Sequence, residues 1–359
     1  LFSFFLYYYY EQVVVIEAGA ALLAATNFSL YRWIAPLPSY ALPRVDPVVR
    51  GYRVRNVTLC GGGTLDGQGR PWAKYFNENT RHGYDPLVSM RRPFFVSFEG
   101  SQGVTLTNLT VRNSPHWTIH LFDTEDVVAR HLTMSVSPQF GCEDYPGCTS
   151  CRCFPNSDGI DPDSSRNVLI EDCDIAVDDD AVAVKAGVGP AGAAFATPST
   201  NITVRRCRLH PIAGNGVRIG TESTGGVDGV LVEDTVIENK GFGLTSCNDN
   251  LNAIANIHLR NVTFVNAWLT WEPQTHSSLL CRGTAASATH HIRLPNHTLQ
   301  DVRGTVDALG MTLPAPHMAT GWIFQNVTLT APHGWACANV STATDFTLLA
   351  NVSPPLACQ

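Results

Sequence analysis

Apolar and polar positions along this chain repeat in units of nine. The members are GVTLTNLTV (103–111), DVVARHLTM (126–134), NVLIEDCDI (167–175), NITVRRCRL (201–209), GVLVEDTVI (229–237), NIHLRNVTF (256–264), HIRLPNHTL (291–299) and GWIFQNVTL (321–329). Positions 2, 4, 7 and 9 are almost all apolar, small or sulfur-bearing, and positions 5 and 6 are mostly polar. The apolar side alternates over each half, with a phase slip between the halves. That pattern predicts two short strands joined by a bend, both facing one core. NVTLCGGGTL (56–65) is an earlier member of the set. Successive starts lie 23, 41, 34, 28, 27, 35 and 30 residues apart. The shorter intervals fit one coil of a solenoid, and the longer ones a coil carrying an inserted loop. Helical periodicity is almost absent, so the long helices that a βαβ sheet requires are missing. The spacing is too irregular for propeller blades of ~40 residues. The expected fold class is therefore all-β, a parallel β-helix, over residues 13–335.

The ends read differently. Residues 1–12 begin LFSFFLYYYY, with neither an initiating Met nor a basic leader, so they do not form an intact signal peptide. A signal has been removed or the start is incomplete. Glu11 and Glu17 break the apolar run before it could span a bilayer, and no other stretch approaches that length. The segment is expected to cap the solenoid or to pair with the edge of a neighbouring subunit. Residues 336–359 form a tail in which Cys337 and Cys358 are plausible partners.

Composition adds a compartment. The 359 residues carry 24 basic and 31 acidic side chains, a net charge of −7, and only Lys74, Lys185 and Lys240 are lysines. No basic excess is available to neutralise nucleic-acid phosphates. Nine Asn-x-Ser/Thr sequons occur, at Asn27, Asn56, Asn108, Asn201, Asn261, Asn296, Asn326, Asn339 and Asn351. They predict a secreted protein bearing N-linked glycans. The alternative is that Asn-Val-Thr is simply good strand-edge sequence. Eleven cysteines suit an oxidising compartment. Cys142, Cys148, Cys151 and Cys153 crowd one segment, where a disulfide-stapled loop is favoured over a zinc site. Nothing in the sequence calls for a metal or an organic cofactor.

The chemistry sits between the repeats, in NSDGIDPDSS (156–165), VDDDAVAVKAG (177–187), GNGVRIGTE (214–222) and KGFGLTS (240–246). Equal positions on successive coils stack, so Asp158 and the Asp179/Asp180 pair are expected on neighbouring rungs. Stacked carboxylates raise one another's pKa. Such pairs serve inverting glycoside hydrolysis, in which one acid protonates the leaving oxygen and another activates a water. A calcium site or a surface acid ladder is the competing reading.

The ordered blocks APLPSY (35–40), GGGTLDGQGRPWAKYF (61–76), RRPFFVSF (91–98), NSPHWTIH (113–120), NSDGIDPDSSRNVLIEDC (156–173), DDAVAVKAG (179–187), STNITVRR (199–206) and IGTESTGGV (219–227) resemble the polygalacturonase family, glycoside hydrolase family 28, and most closely its plant-type branch. The resemblance implies a right-handed parallel β-helix acting outside the cell on pectic or related glycans. The family's Asn-Thr-Asp motif matches Asn156, Ser157 and Asp158. Its Gly-Asp-Asp motif matches Asp178, Asp179 and Asp180. Asp179 is thereby implied as general acid, with Asp158 and Asp180 holding and activating the water. Asn156, Lys185, Asn215, Arg218 and His116 are the expected substrate-binding residues. Lys185 has a second reading, as the partner of a nearby carboxylate.

Two departures stand out. The family's Gly-His-Gly motif reads Gly214-Asn215-Gly216, and its Arg-x-Lys motif aligns on Gly243 and Thr245. The lost cations would have paired with a substrate carboxylate. Their loss suggests a subsite for a neutral or modified sugar. It also keeps a second function open: a catalytically impaired β-helix glycoprotein that builds a cell wall, an extracellular fibre or a surface appendage, assembling through its N-terminal segment. His210 is a candidate replacement for the lost histidine; His116 and His120 are groove or structural residues, and Trp72 is a sugar platform or a core residue.

Overall fold

The computed structural model describes residues 4–7, 10–81, 83–136, 154–245, 253–271, 293–313, 319–342 and 344–356. Its strands wind as a right-handed parallel β-helix with three columns of paired strands. One column runs Phe4–Tyr7, Val49–Tyr52, Val96–Glu99, Ile119–Phe122, Ile160–Asp163, Val182–Val184, Val217–Ile219 and Phe242–Leu244. The other two columns are the halves of the nine-residue repeats. In register, Val104, Val127, Val168, Ile202, Val230 and Ile257 stack along one interior line.

The repeat is explained by backbone conformation. Position 6 is left-handed throughout the set: Asn108, His131, Asp172, Arg206, Asp234, Asn261, Asn296 and Asn326 have φ between 49° and 59°. One residue in that conformation turns the strand and shifts the inward parity, which is the phase slip seen in the sequence. Position 1 is left-handed as well, at Gly103, Asp126, Asn167, Asn201, Gly229, Asn256 and Gly321. Between these turns positions 2, 4, 7 and 9 point inward, as Val104, Leu106, Leu109 and Val111 do, all buried. Burying each such side chain is worth roughly 1.5–3 kcal/mol.

The structure changes two sequence expectations and decides a third. The ladder runs past both expected boundaries, because Phe4–Tyr7 and Tyr10–Val15 already pair with the next coil and Phe346–Ser353 still pairs with Trp322–Thr330. Phe4–Tyr7 and the strand from Tyr10 are thus part of the solenoid's own ladder. A helix, Arg70–Thr80, interrupts the β pattern. Its buried face is only Trp72, Ala73 and Asn77, too narrow a stripe to print a helical period. Trp72 is buried against Phe28, with ring centroids 3.8 Å apart, so it packs in the core and offers no face to a sugar.

Cys337 is disulfide-bonded, while Cys358 lies outside the described residues. Cys60, Cys173 and Cys207 are free thiols. The Cys142–Cys153 cluster also lies outside the described residues. No described helix is long and apolar enough to cross a membrane.

Candidate active site

The acidic loops converge where the first column meets the turns preceding it. Gly159 N donates to Asp180 O at 2.8 Å and Ala181 N to Asn215 O at 2.7 Å. Asp158, Asp180 and Asn215 therefore occupy successive rungs. Val217 pairs with Phe242, and two residues before that pair stand Asn215 and Lys240. The loops also fasten to one another: Phe154 N donates to Asp178 Oδ2 at 2.7 Å, and Asp178 N to Ser157 Oγ at 3.2 Å. Gly214 has to be a glycine, because a Cβ there would lie 2.2 Å from the Asp179 carbonyl carbon.

Asp158 and Asp180 are buried, and Asp179 between the loops is the most exposed of the three. Lys185 Nζ lies 3.2 Å from Asp158 Oδ2 and 3.2 Å from Glu222 Oε2, over the Trp117 ring at 4.5 Å. Burial alone would discharge this amine, but Glu222 and Asp158 hold it charged, well above the ordinary lysine value. Burial pushes the Asp158 carboxyl up to about 8; Lys185 opposes that rise, and Asp179 and Asp180 add to it. Asp161, on the next outward position, is fully buried, and neither of its carboxylate oxygens has a hydrogen-bond partner. Burial and the Asp158 charge raise its carboxyl well above the usual range. Next along, Asp163 accepts from Tyr40 Oη at 2.7 Å and pairs with His120 Nε2 at 3.1 Å.

Asp180 Oδ1 accepts from Asn215 N at 2.6 Å and Asn215 Nδ2 at 2.8 Å. Trp268 Nε1 in turn donates to Asn215 Oδ1 at 2.8 Å. This ties the Asn215 departure to Gly243. A Cβ at position 243 would come within 2.8 Å of Asn215 Oδ1. With Asn215 held by Asp180 and Trp268, a side chain at position 243 would have to displace it.

Asp158, Asp179, Asp180, Asn156, Asn215 and Arg218 come together as the sequence suggested. Arg92 Nη2 donates to Asn156 Oδ1 at 2.8 Å, and Arg218 Nε lies 3.9 Å from Asp180 Oδ2. Two expectations of substrate contact fail. His116 is buried, receives the Trp117 N–H on Nδ1 and meets Ser89 Oγ through Nε2 at 3.1 Å. Burial pushes it well below the ordinary imidazole range, so it is a neutral packing residue. Lys185 spends its charge on Asp158 and Glu222 inside the protein and presents none to the groove. His210 is not a substitute for the lost histidine, since it faces Asp174 at 2.6 Å on a different column. Sequence reasoning missed Asp161, Glu222 and Trp268. Asp161 could have been found from the NSDGID run, where it follows Asp158 by three. Among the described residues, no group of three or more His, Cys, Asp or Glu is arranged to hold a metal ion.

The family model described as glycosyl hydrolases family 28 matches residues 37–347. The chain belongs to that family. A probable polygalacturonase of Vitis vinifera is 32% identical over 232 residues, covering 63% of this chain and 43% of the relative. A polygalacturonase of Juniperus ashei is 25% identical over 265 residues, 70% of this chain and 45% of the relative. The chain thus spans less than half the length of these two relatives. Among solved structures, a hyperthermoactive exopolygalacturonase from Thermotoga maritima aligns with a TM-score of 0.68 at 18% identity, over 95% of this chain and 84% of its own. An endo-xylogalacturonan hydrolase from Aspergillus tubingensis aligns at 0.61 and 17% identity, over 97% and 90%. These members of the comparison share the β-helix fold.

Proposed function

We propose that this family 28 protein is an inverting glycoside hydrolase acting on a pectic or related polysaccharide outside the cell. The observation that carries the reading is the retained carboxylate set: Asp158 and Asp180 on adjacent rungs, with Asp179 beside them and more exposed. Asp179 donates its proton to the leaving glycosidic oxygen. Asp158 and Asp180 hold a water on the opposite face of the sugar, and one of them takes its proton as the oxygen attacks the anomeric carbon. Asp158 can act as the base only in its ionised fraction, which burial reduces and Lys185 at 3.2 Å enlarges. Lys185 is a positioning residue here, and Glu222 fixes where its charge sits. Asn215 orients Asp180 in the place of the family's histidine motif.

The polygalacturonase names carried by relatives in Vitis vinifera and Juniperus ashei support a pectic substrate. Secretion and glycosylation at the sequons belong to the same reading. Reducing-end release from polygalacturonate, rhamnogalacturonan, xylogalacturonan and neutral polysaccharides tests it. Cleavage of one glycan by the protein, abolished in Asp179→Asn with the fold intact, is the expected result. The missing cations at positions 243 and 245 favour the competing structural glycoprotein, and unchanged turnover in Asp179→Asn, or no cleavage of any of these glycans, would move the weight to it.

A further inference from the structure

Lys240 is placed as no other cation at this site is. Of the chain's three lysines, Lys74 faces Glu78 along its helix at 3.9 Å and Lys185 is buried between two carboxylates. Lys240, among the described residues, makes no ion pair. Its Nζ lies 5.0 Å from the centroid of the Trp268 ring, and it is only partly buried. Trp268 Nε1 binds Asn215, and Asn215 binds Asp180. An unbroken line of contacts thus runs from the carboxylates to this ammonium.

The setting makes the absence of an acidic partner informative. Asp158, Asp161, Asp179, Asp180 and Glu222 crowd the neighbouring rungs, yet none of them takes Lys240. Arg218, the other nearby cation, is turned toward Asp180 Oδ2 and Thr221 Oγ1. Gly243 pairs with Arg218 on the outward line and presents no side chain of its own there. A cation resting on an aromatic face, partly buried and without an acidic partner among the described residues, is set for an anion brought from outside.

We propose that Lys240, seated on Trp268, is the specificity residue that binds the carboxylate of an acidic sugar, in place of the two cations that positions 243 and 245 lack. The inference rests on the glycosidase reading and narrows it. The sugar next to the scissile bond is a uronate, and its carboxylate is held from the rung after Asn215, three residues before position 243.

The test is calorimetric binding of a galacturonate trimer and of the same trimer with its carboxyl groups reduced. It is made in the Asp179→Asn background, so that binding is read without turnover. The acidic trimer is expected to bind at least tenfold more tightly. Lys240→Ala should cut that preference by about ten- to a hundredfold, the effect of one charge-assisted hydrogen bond. Lys240→Arg should restore most of it. Equal affinity for the two trimers, or a preference untouched by Lys240→Ala, overturns the proposal. Failure of the two readings is separable. Wild-type cleavage of glycans with no such preference would leave the hydrolase standing and remove the role of Lys240. A strong Lys240-dependent preference in a protein that cuts nothing would do the reverse.

Discussion

Replacing Asp158 by Asn should abolish hydrolysis and yet stabilise the protein at neutral pH. The native carboxyl holds its proton up to about 8, whereas in the unfolded chain it loses it in the ordinary carboxylate range. Between those limits the native state binds a proton that the unfolded state does not. Stability therefore falls as pH rises through that window, and the loss is complete above the native value. Each unit of difference is worth about 1.4 kcal/mol, so the ceiling is on the order of 5 kcal/mol. Lys185 and the neighbouring carboxyls share the titration, which brings the expected penalty to about 1–3 kcal/mol at pH 8. Asn fits the same space, its Oδ1 can accept from Lys185, and Glu222 still balances that amine. For a chain of this size the gain corresponds to roughly 1–4 °C in Tm. Thermal melts of the wild type and Asp158→Asn at pH 5 and pH 8 measure it. The variant should lead at pH 8 and lose most of that lead at pH 5. A variant no more stable than wild type at pH 8, or a difference equal at both values, would rule out a native Asp158 that holds its proton above the unfolded value.

Other outcomes follow from the same contacts. Glu222→Gln leaves Lys185 facing Asp158 alone, so the acidic limb of the kcat profile should move down by about 0.5–1 pH unit, and Lys185→Met should move it up. A merely structural role for either residue would change stability and leave the limb in place. Gly243→Ala puts a Cβ against Asn215 and should loosen its hold on Asp180, lowering kcat about tenfold with little change in Tm. Asn215→Gly in the same chain should make Gly243→Ala nearly silent, which a double-mutant cycle reads directly.

Much of this fold is written in the nine-residue pattern, because inward positions must be apolar on every coil. The phase slip was visible, but its cause was not. Only the backbone shows that positions 1 and 6 are left-handed. That conformation favours Asn, Asp and Gly, and it bears on the sequons. All of them except Asn27 place their asparagine at a positive φ, from 50° at Asn261 to 59° at Asn296. Several donate their amide to the previous coil, as Asn201 does to Asn167 and Asn261 to Asp234. The turn requirement alone accounts for much of their abundance, so sequon density weighs less toward secretion than the raw count suggests.

The site was legible where its residues share a block. Asp158, Asp179 and Asp180 could be placed on neighbouring rungs because the loops recur at equal coil positions. Glu222 and Trp268 could not. Glu222 meets Lys185 across 37 residues and Trp268 meets Asn215 across 53. Those contacts depend on loop lengths and on register that a single sequence does not encode locally. Burial was hidden for the same reason: His116 looks like a groove residue beside Trp117, and only packing against Phe94 and Ser89 shows that it is enclosed.

The retained aspartates are assigned a single displacement at the anomeric carbon. The most direct measurement is proton NMR of the first reducing ends released from the glycan that the protein cleaves, recorded before mutarotation, beside the Asp179→Asn variant. Inverted anomers from the wild type and no release from the variant are the expected result. Retained configuration, or equal release by both proteins, would contradict it.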